Sequence, residues 1–154
     1  MINYVFKLIG VSLALVLIQS SLAISSGFQL VGTWQNSAGP SNTSPAYTQQ
    51  LTFNSNGSFY YVMSVPPSNG KAGGTTKWSG YYEPTGSSSW NAEYENFAAC
   101  DTSGYCSSCP GNGYACSIAA SMGVSPGTTR SGSFTQRGNS IVIGTDGATW
   151  HRVH

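Results

Sequence analysis

The chain has 154 residues, with six basic and five acidic side chains and only 7% of residues charged. That length holds one domain rather than two. A nucleic-acid ligand would need a dense basic face to displace counterions, and there is none here. A disordered chain is excluded as well, because charge is scarce and 12% of the residues are aromatic.

Residues 1–23 read as a signal peptide. Lys7 precedes an apolar run from Leu8 to Ile18, and Ser21 and Ala23 are the small residues a cleavage site after Ala23 requires. The run is shorter than the roughly 20 residues that span a bilayer, so no membrane span is expected after cleavage. No cysteine follows it, which argues against a lipid anchor. The mature domain, 24–154, is expected to be secreted or periplasmic. It keeps five bases (Lys71, Lys77, Arg130, Arg137, Arg152) and five acids (Glu83, Glu93, Glu95, Asp101, Asp146).

Leu30 to Gln35 is a candidate first strand, followed by a polar loop from Asn36 to Pro45. Tyr47–Asn54 and Ser58–Val65 form a hairpin around Ser55-Asn56-Gly57. A three-residue loop closed by Gly sets Phe53 opposite Phe59 and Leu51 opposite Tyr61, on one apolar face. Pro66-Pro67 ends the third strand, and 66–74 is a loop. Thr76–Glu83 puts Trp78, Gly80 and Tyr82 on one side. Ser89–Phe97 does the same with Trp90, Ala92 and Tyr94. Ser117–Met122 reads as a short strand, and no window from residue 24 onward carries a helical stripe.

Phe134 to Val153 reads as three consecutive antiparallel strands. Asp146-Gly147 is a two-residue hairpin signal that places Ile143 opposite Trp150 and Ile141 opposite Arg152. The preceding turn is Arg137-Gly138 or Gly138-Asn139, and either keeps Phe134 on the face of Ile141, Ile143 and Trp150. Eight or nine strands at hairpin spacing make the chain all-β. An antiparallel up-and-down barrel of about eight strands is expected, with a β-sandwich as the alternative.

Gly32-Thr33-Trp34 at the head of the first strand is similar to the Gly-x-Trp signature of lipocalins and the wider calycin group. Trp150-His151-Arg152 resembles the end of the last strand in those proteins. The resemblance implies a small lipocalin-like barrel closed at one end by Trp34, with Arg152 packed over it as a cation–π pair.

Cys100, Cys106, Cys109 and Cys116 are the only cysteines. In an exported chain, four cysteines in a loop (100–116) rich in Gly and Ser point to two disulfides. Three pairings are possible, and a Cys106–Cys109 bridge across two residues is the least favoured. A zinc site would want two Cys-x2-Cys knuckles, and only one is present. A redox Cys106-Ser107-Ser108-Cys109 lacks a basic neighbour.

Glu93 and Glu95 are the one close carboxylate pair, and alternation turns them away from Trp90, Ala92 and Tyr94. The two histidines are His151, facing outward, and the terminal His154. No Gly-x-Ser-x-Gly elbow or phosphate-cradling loop occurs. The expectation is therefore a non-enzymatic protein with no cofactor and no metal.

The inward aromatic face suggests a lumen for a small apolar or amphipathic molecule. Tyr61, Met63, Trp78, Tyr82, Trp90 and Tyr94 are the candidate ligand-binding residues, the tyrosine hydroxyls giving polar tips. The alternative is a filled barrel acting as a protein-interaction or inhibitor module through loops 36–45, 66–74 and 100–116. Tyr60 and Tyr81 face outward and form an aromatic patch suited to sugar or protein. Asn42-Thr43-Ser44 and Asn56-Gly57-Ser58 are glycosylation sequons, the first weakened by Pro45.

Overall fold

The computed structural model describes residues 30–39, 45–68, 70, 72–144 and 148–153. The signal-peptide reading, the Asn42 sequon and the Asp146-Gly147 corner lie outside them.

Among the described residues there are nine strands and one helix: β1 (Gly32–Ala38), β2 (Tyr47–Phe53), β3 (Ser58–Val65), β4 (Gly74–Pro84), β5 (Ser89–Cys100), β6 (Cys106–Cys109), α1 (Gly113–Met122), β7 (Thr129–Arg137), β8 (Ser140–Ile143) and β9 (Ala148–Val153). Each strand pairs antiparallel with its neighbour in the chain up to β6. β7 then pairs with β5, β8 with β7, and β9 with both β8 and β1. The result is a closed eight-stranded antiparallel barrel, which rules out the open sandwich. β6 stands outside the ring. It borders β5 from Phe97 to Cys100, while β7 borders β5 from Ser89 to Glu93.

The β2–β3 hairpin follows the expected register, Phe53 facing Phe59 and Leu51 facing Tyr61. Gly57 adopts a φ of 84° to close the turn, a conformation that disfavours any residue with a Cβ. At the C-terminal end Gly138 and Asn139 form the two-residue turn between Arg137 and Ser140. The β8–β9 register differs from the expected one. Ile143 faces Ala148 and Ile141 faces Trp150, because four residues separate the strands rather than two. The slip is even in number, so Ile141, Ile143 and Trp150 remain on one face.

Two expectations are corrected. The 117–122 strand is the second half of α1. Its signals are at its ends rather than in a stripe: Asn112 Oδ1 accepts from the amides of Tyr114 (2.9 Å) and Ala115 (3.3 Å), and Gly123 closes the helix with a φ of 67°. Only Ala115 and Ala119 are buried, and two alanines leave little apolar pattern to read. The loop expected from Asn36 begins later, because β1 continues to Ala38 alongside Tyr47–Gln49 of β2.

The core has two connected parts. The barrel interior is filled by rings: Phe53 meets Tyr82 edge-on at 4.9 Å and Trp90 at 5.5 Å, and Trp90 reaches Phe134 at 6.2 Å. Gly132 is opposite Trp90, and a Cβ there would overlap the indole. A second cluster gathers Phe97, Cys109, Ala115, Ala119 and Val124 beneath α1, and Trp78 and Tyr94 pack against both.

Candidate functional site at the barrel mouth

The paired residues form stacked inward rows. The lowest of three is Gly32, Phe53, Phe59, Gly80 and Tyr94; the next is Trp34, Leu51, Tyr61, Trp78 and Phe97; above it run Asn36, Gln49, Met63, Thr76 and Ala99. The two lower rows are apolar apart from the Tyr tips. The upper row is largely polar and half-buried. It lies just inside the end where Ala38, Tyr47, Val65 and Gly74 finish or begin their strands.

The floor beneath this row is aromatic. Tyr61 stacks on Trp78 with centroids 3.8 Å apart and planes at 15°, and its centroid lies 6.2 Å from that of Trp150, with the planes tilted by 60°. Trp78 lies parallel to Phe97 at 6.3 Å. Above the floor, Gln49 Nε2 donates to Met63 Sδ at 3.8 Å, a weak acceptor for an amide. Thr76 Oγ1 is buried with no hydrogen-bond partner among the described residues. A mouth of this kind offers apolar surface below, one unsatisfied hydroxyl and one weakly satisfied amide.

A β-bulge shapes one side of it. The β4–β5 register shifts between Ser79, opposite Asn96, and Gly80, opposite Tyr94, so Glu95 is an extra residue. Beyond the bulge Phe97 and Ala99 face inward. Alternation read from Trp90 would have placed Asn96 and Ala98 there instead. Gly80 permits the distortion, since a Cβ would collide with the Glu93 carbonyl. Phe97 is the functional-site residue that periodicity missed. The available signal was Gly80 standing in the inward series between Trp78 and Tyr82, where a glycine marks a bulge or a close backbone approach.

α1 covers the β5 side of the mouth by packing Ala115 and Ala119 on Phe97. Two disulfides hold it: Cys100–Cys106 ties β5 to β6, and Cys109–Cys116 ties β6 to α1. The Cys106–Cys109 bridge is thereby excluded, as are the zinc and redox readings of these thiols. The guanidinium of Arg130 sits against Gly123 at the helix C-terminus, where positive charge is favoured. Burial raises the Tyr94 hydroxyl above the usual tyrosine range, and Arg130 pulls it partly back.

The six candidate lumen residues are thus divided. Tyr61, Met63 and Trp78 form the floor and wall of the mouth. Tyr82 and Trp90 belong to the packed lower half, with the Tyr82 hydroxyl donating to the Asn54 carbonyl at 2.7 Å. Tyr94 lies at the seam with α1, edge-on to Phe59 at 5.6 Å. At the closed end, Arg152 Cζ lies 4.9 Å above the Trp34 ring and Arg152 Nη2 donates to the Val31 carbonyl at 2.9 Å. Trp34 Nε1 donates to the Leu30 carbonyl at 2.8 Å. Glu93 and Glu95 are both exposed.

Searches of protein families, curated proteins and solved structures find no match to this chain. Among the described residues no helix is long and apolar enough to cross a membrane.

Proposed function

We propose that this is an exported, non-enzymatic binding protein of lipocalin-like type. Its ligand is a small neutral amphipathic molecule held in the mouth of the barrel rather than deep in the lumen. The observation that carries the reading is the half-buried row of Gln49, Met63 and Thr76 above the Tyr61–Trp78 stack. A planar apolar body would cover the stack, and a head group with a donor and an acceptor would satisfy Thr76 Oγ1 and the Gln49 amide. The row contains no charged side chain, which favours a neutral head. The calycin assignment rests on Gly32, Trp34 and Arg152 and on the strand count. Export rests on the signal-like residues 1–23 and on two disulfides.

N-phenylnaphthylamine, a neutral planar probe with one N–H donor, tests this. Its fluorescence is expected to rise on binding, and Trp emission to fall. Gln49→Leu with Thr76→Val is expected to weaken binding about tenfold, or about 1.4 kcal/mol. Native mass spectrometry of protein from its own source is expected to show a retained molecule. No retained molecule together with no probe binding would overturn the proposal.

A second reading has its own observation. The lower lumen is packed by Phe53, Tyr82, Trp90 and Phe134, and the stapled segment exposes Tyr105 and Tyr114. That arrangement favours a protein-interaction or inhibitor module working through the rim. Loss of a partner on Tyr105→Ala with Tyr114→Ala, and no effect of Gln49→Leu, would select it.

A further inference from the structure

The outer wall of the barrel treats its polar side chains in two ways. Some opposed residues satisfy one another across strands: Thr33 with Thr52 (3.1 Å), Ser64 with Thr75 (3.3 Å), Asn91 with Ser131 (2.7 Å) and Ser140 with His151 (2.9 Å). One patch differs. On β4, β5 and β6, the side chains of Ser79, Asn96, Lys77 and Ser108 make no hydrogen bond or ion pair to other described residues. Ser79 and Asn96 are directly opposed, as are Lys77 with Ala98 and Ala98 with Ser108. They nevertheless leave their polar ends free.

These four residues line one groove of about 260 Å³ together with Tyr60, Pro110 and the edges of Trp78, Phe97 and Cys109. The Glu95 bulge lies beside it in β5, and β6 pairs only with the part of β5 beyond that bulge. Tyr60 is 42% exposed and Tyr81 55% exposed. Tyr60 pairs with Ser79, two residues before Tyr81 on β4. The two tyrosines are therefore diagonal neighbours on one face, roughly 7–8 Å apart.

We propose that this groove is a saccharide-binding site, with one sugar ring against Tyr60 and the next over Tyr81. A pyranose has an apolar C–H face and a rim of hydroxyls. The face suits an exposed aromatic ring. The rim suits the amide, two hydroxyls and ammonium that surround it, which supply both donors and acceptors. A wholly apolar ligand would leave those four groups unmatched and desolvated. One lysine is too little charge for a nucleic acid. Trp78, Phe97, Ala98, Cys109 and Pro110 give the groove an apolar bed, and the four polar side chains stand among them, which is the mixture that the C–H face and hydroxyl rim of a pyranose require. The site needs no lumen ligand, although Trp78 lines both this groove and the floor of the mouth.

Saturation-transfer NMR on the full protein, with cellotetraose, chitotetraose, maltotetraose and tetragalacturonate as probes, tests the proposal. At least one probe is expected to receive magnetisation. Its affinity is expected to fall at least tenfold in Tyr60→Ala and in Asn96→Ala, and less in Tyr81→Ala. All three positions are exposed, and far-UV circular dichroism checks that the variants stay folded. Gln49→Leu, in the mouth, is expected to leave the signal unchanged. No transfer to any of the four probes, or binding that survives Tyr60→Ala and Asn96→Ala, would overturn the assignment.

Discussion

The two ends of the barrel are built on different terms. At the closed end the inward positions are mostly large apolar side chains, with Ala92 and Gly132 among them, and Trp34 is sealed by Arg152 and the Leu30 carbonyl. At the mouth, the wall changes register at a bulge, the inward row turns polar, and a helix and two disulfides take the place of further strand pairing. On the binding proposal above, stability and binding fall to separate halves. A solid floor can carry the folding free energy, which leaves the mouth free to keep unsatisfied groups that a core would not tolerate.

The largest expected effect tests that division directly. Trp90→Ala removes an indole packed against Phe53, Phe134 and Gly132, and should cost about 3–5 kcal/mol in urea unfolding. Met63→Ala, in the half-buried upper row, should cost under about 2 kcal/mol, because partial exposure reduces both the transfer and cavity terms. Equal losses would mean that the mouth is core and the two halves are one.

The disulfides come next. Their sequence separations are 6 and 7, so loop entropy alone gives nearly equal contributions of about 2–3 kcal/mol each. Packing separates them: Cys109 is buried in the second cluster, whereas Cys106 is exposed. Replacing Cys109 and Cys116 by Ser is expected to cost about 1 kcal/mol more than replacing Cys100 and Cys106, and to reduce the helical circular dichroism signal. The second pair of replacements should leave α1 intact.

Asn112→Ala is smaller and more local. It removes the acceptor for the amides of Tyr114 and Ala115, a loss of about 1 kcal/mol. Hydrogen exchange in α1 should speed up while exchange in β1, β2 and β3 stays as it was. If the floor amides also speed up, the helix is part of the same cooperative unit as the barrel.

The same contrast explains what could be read from the chain. The β2–β3 hairpin was legible because Asn56-Gly57 dictates the turn and Leu51, Phe53, Phe59 and Tyr61 fix the face. The Trp34–Arg152 closure was legible because alternation places Arg152 inward from Trp150. The mouth was not. Glu95 reverses the alternation after Tyr94, so Phe97 and Ala99 could not be placed by counting residues. Gln49 and Thr76 looked like ordinary polar strand residues and Asn36 like the start of a loop, since only long-range pairing puts them in one row. α1 was hidden because its buried face is two alanines and its determinants, Asn112 and Gly123, also read as loop residues.

Protonation separates the two ends most gently. Burial holds the hydroxyls of Tyr82 and Tyr94 above the usual tyrosine range. A raised pKa in the folded state means that their contribution is present below about pH 10 and is lost as pH rises through the raised values. Asp101, on the rim, runs the other way. Its carboxylate accepts from the Ser103 hydroxyl (2.6 Å) and from the amides of Ser103 (2.9 Å) and Tyr105 (3.0 Å), and the first of these is the main cause of its lowered pKa. Its contribution is present above the ordinary carboxylate range and is lost as pH falls through the lowered value. Acid should therefore loosen the Cys100–Cys106 hairpin before it touches the floor, and base should act on the floor and the helix seam. In NMR titrations the Ser103 and Tyr105 amides are expected to shift at low pH while the Trp90 and Trp34 indole signals hold. In Asp101→Asn the low-pH amide shift should disappear. Indole signals that moved together with the Tyr105 amide would show that rim and floor respond as one body.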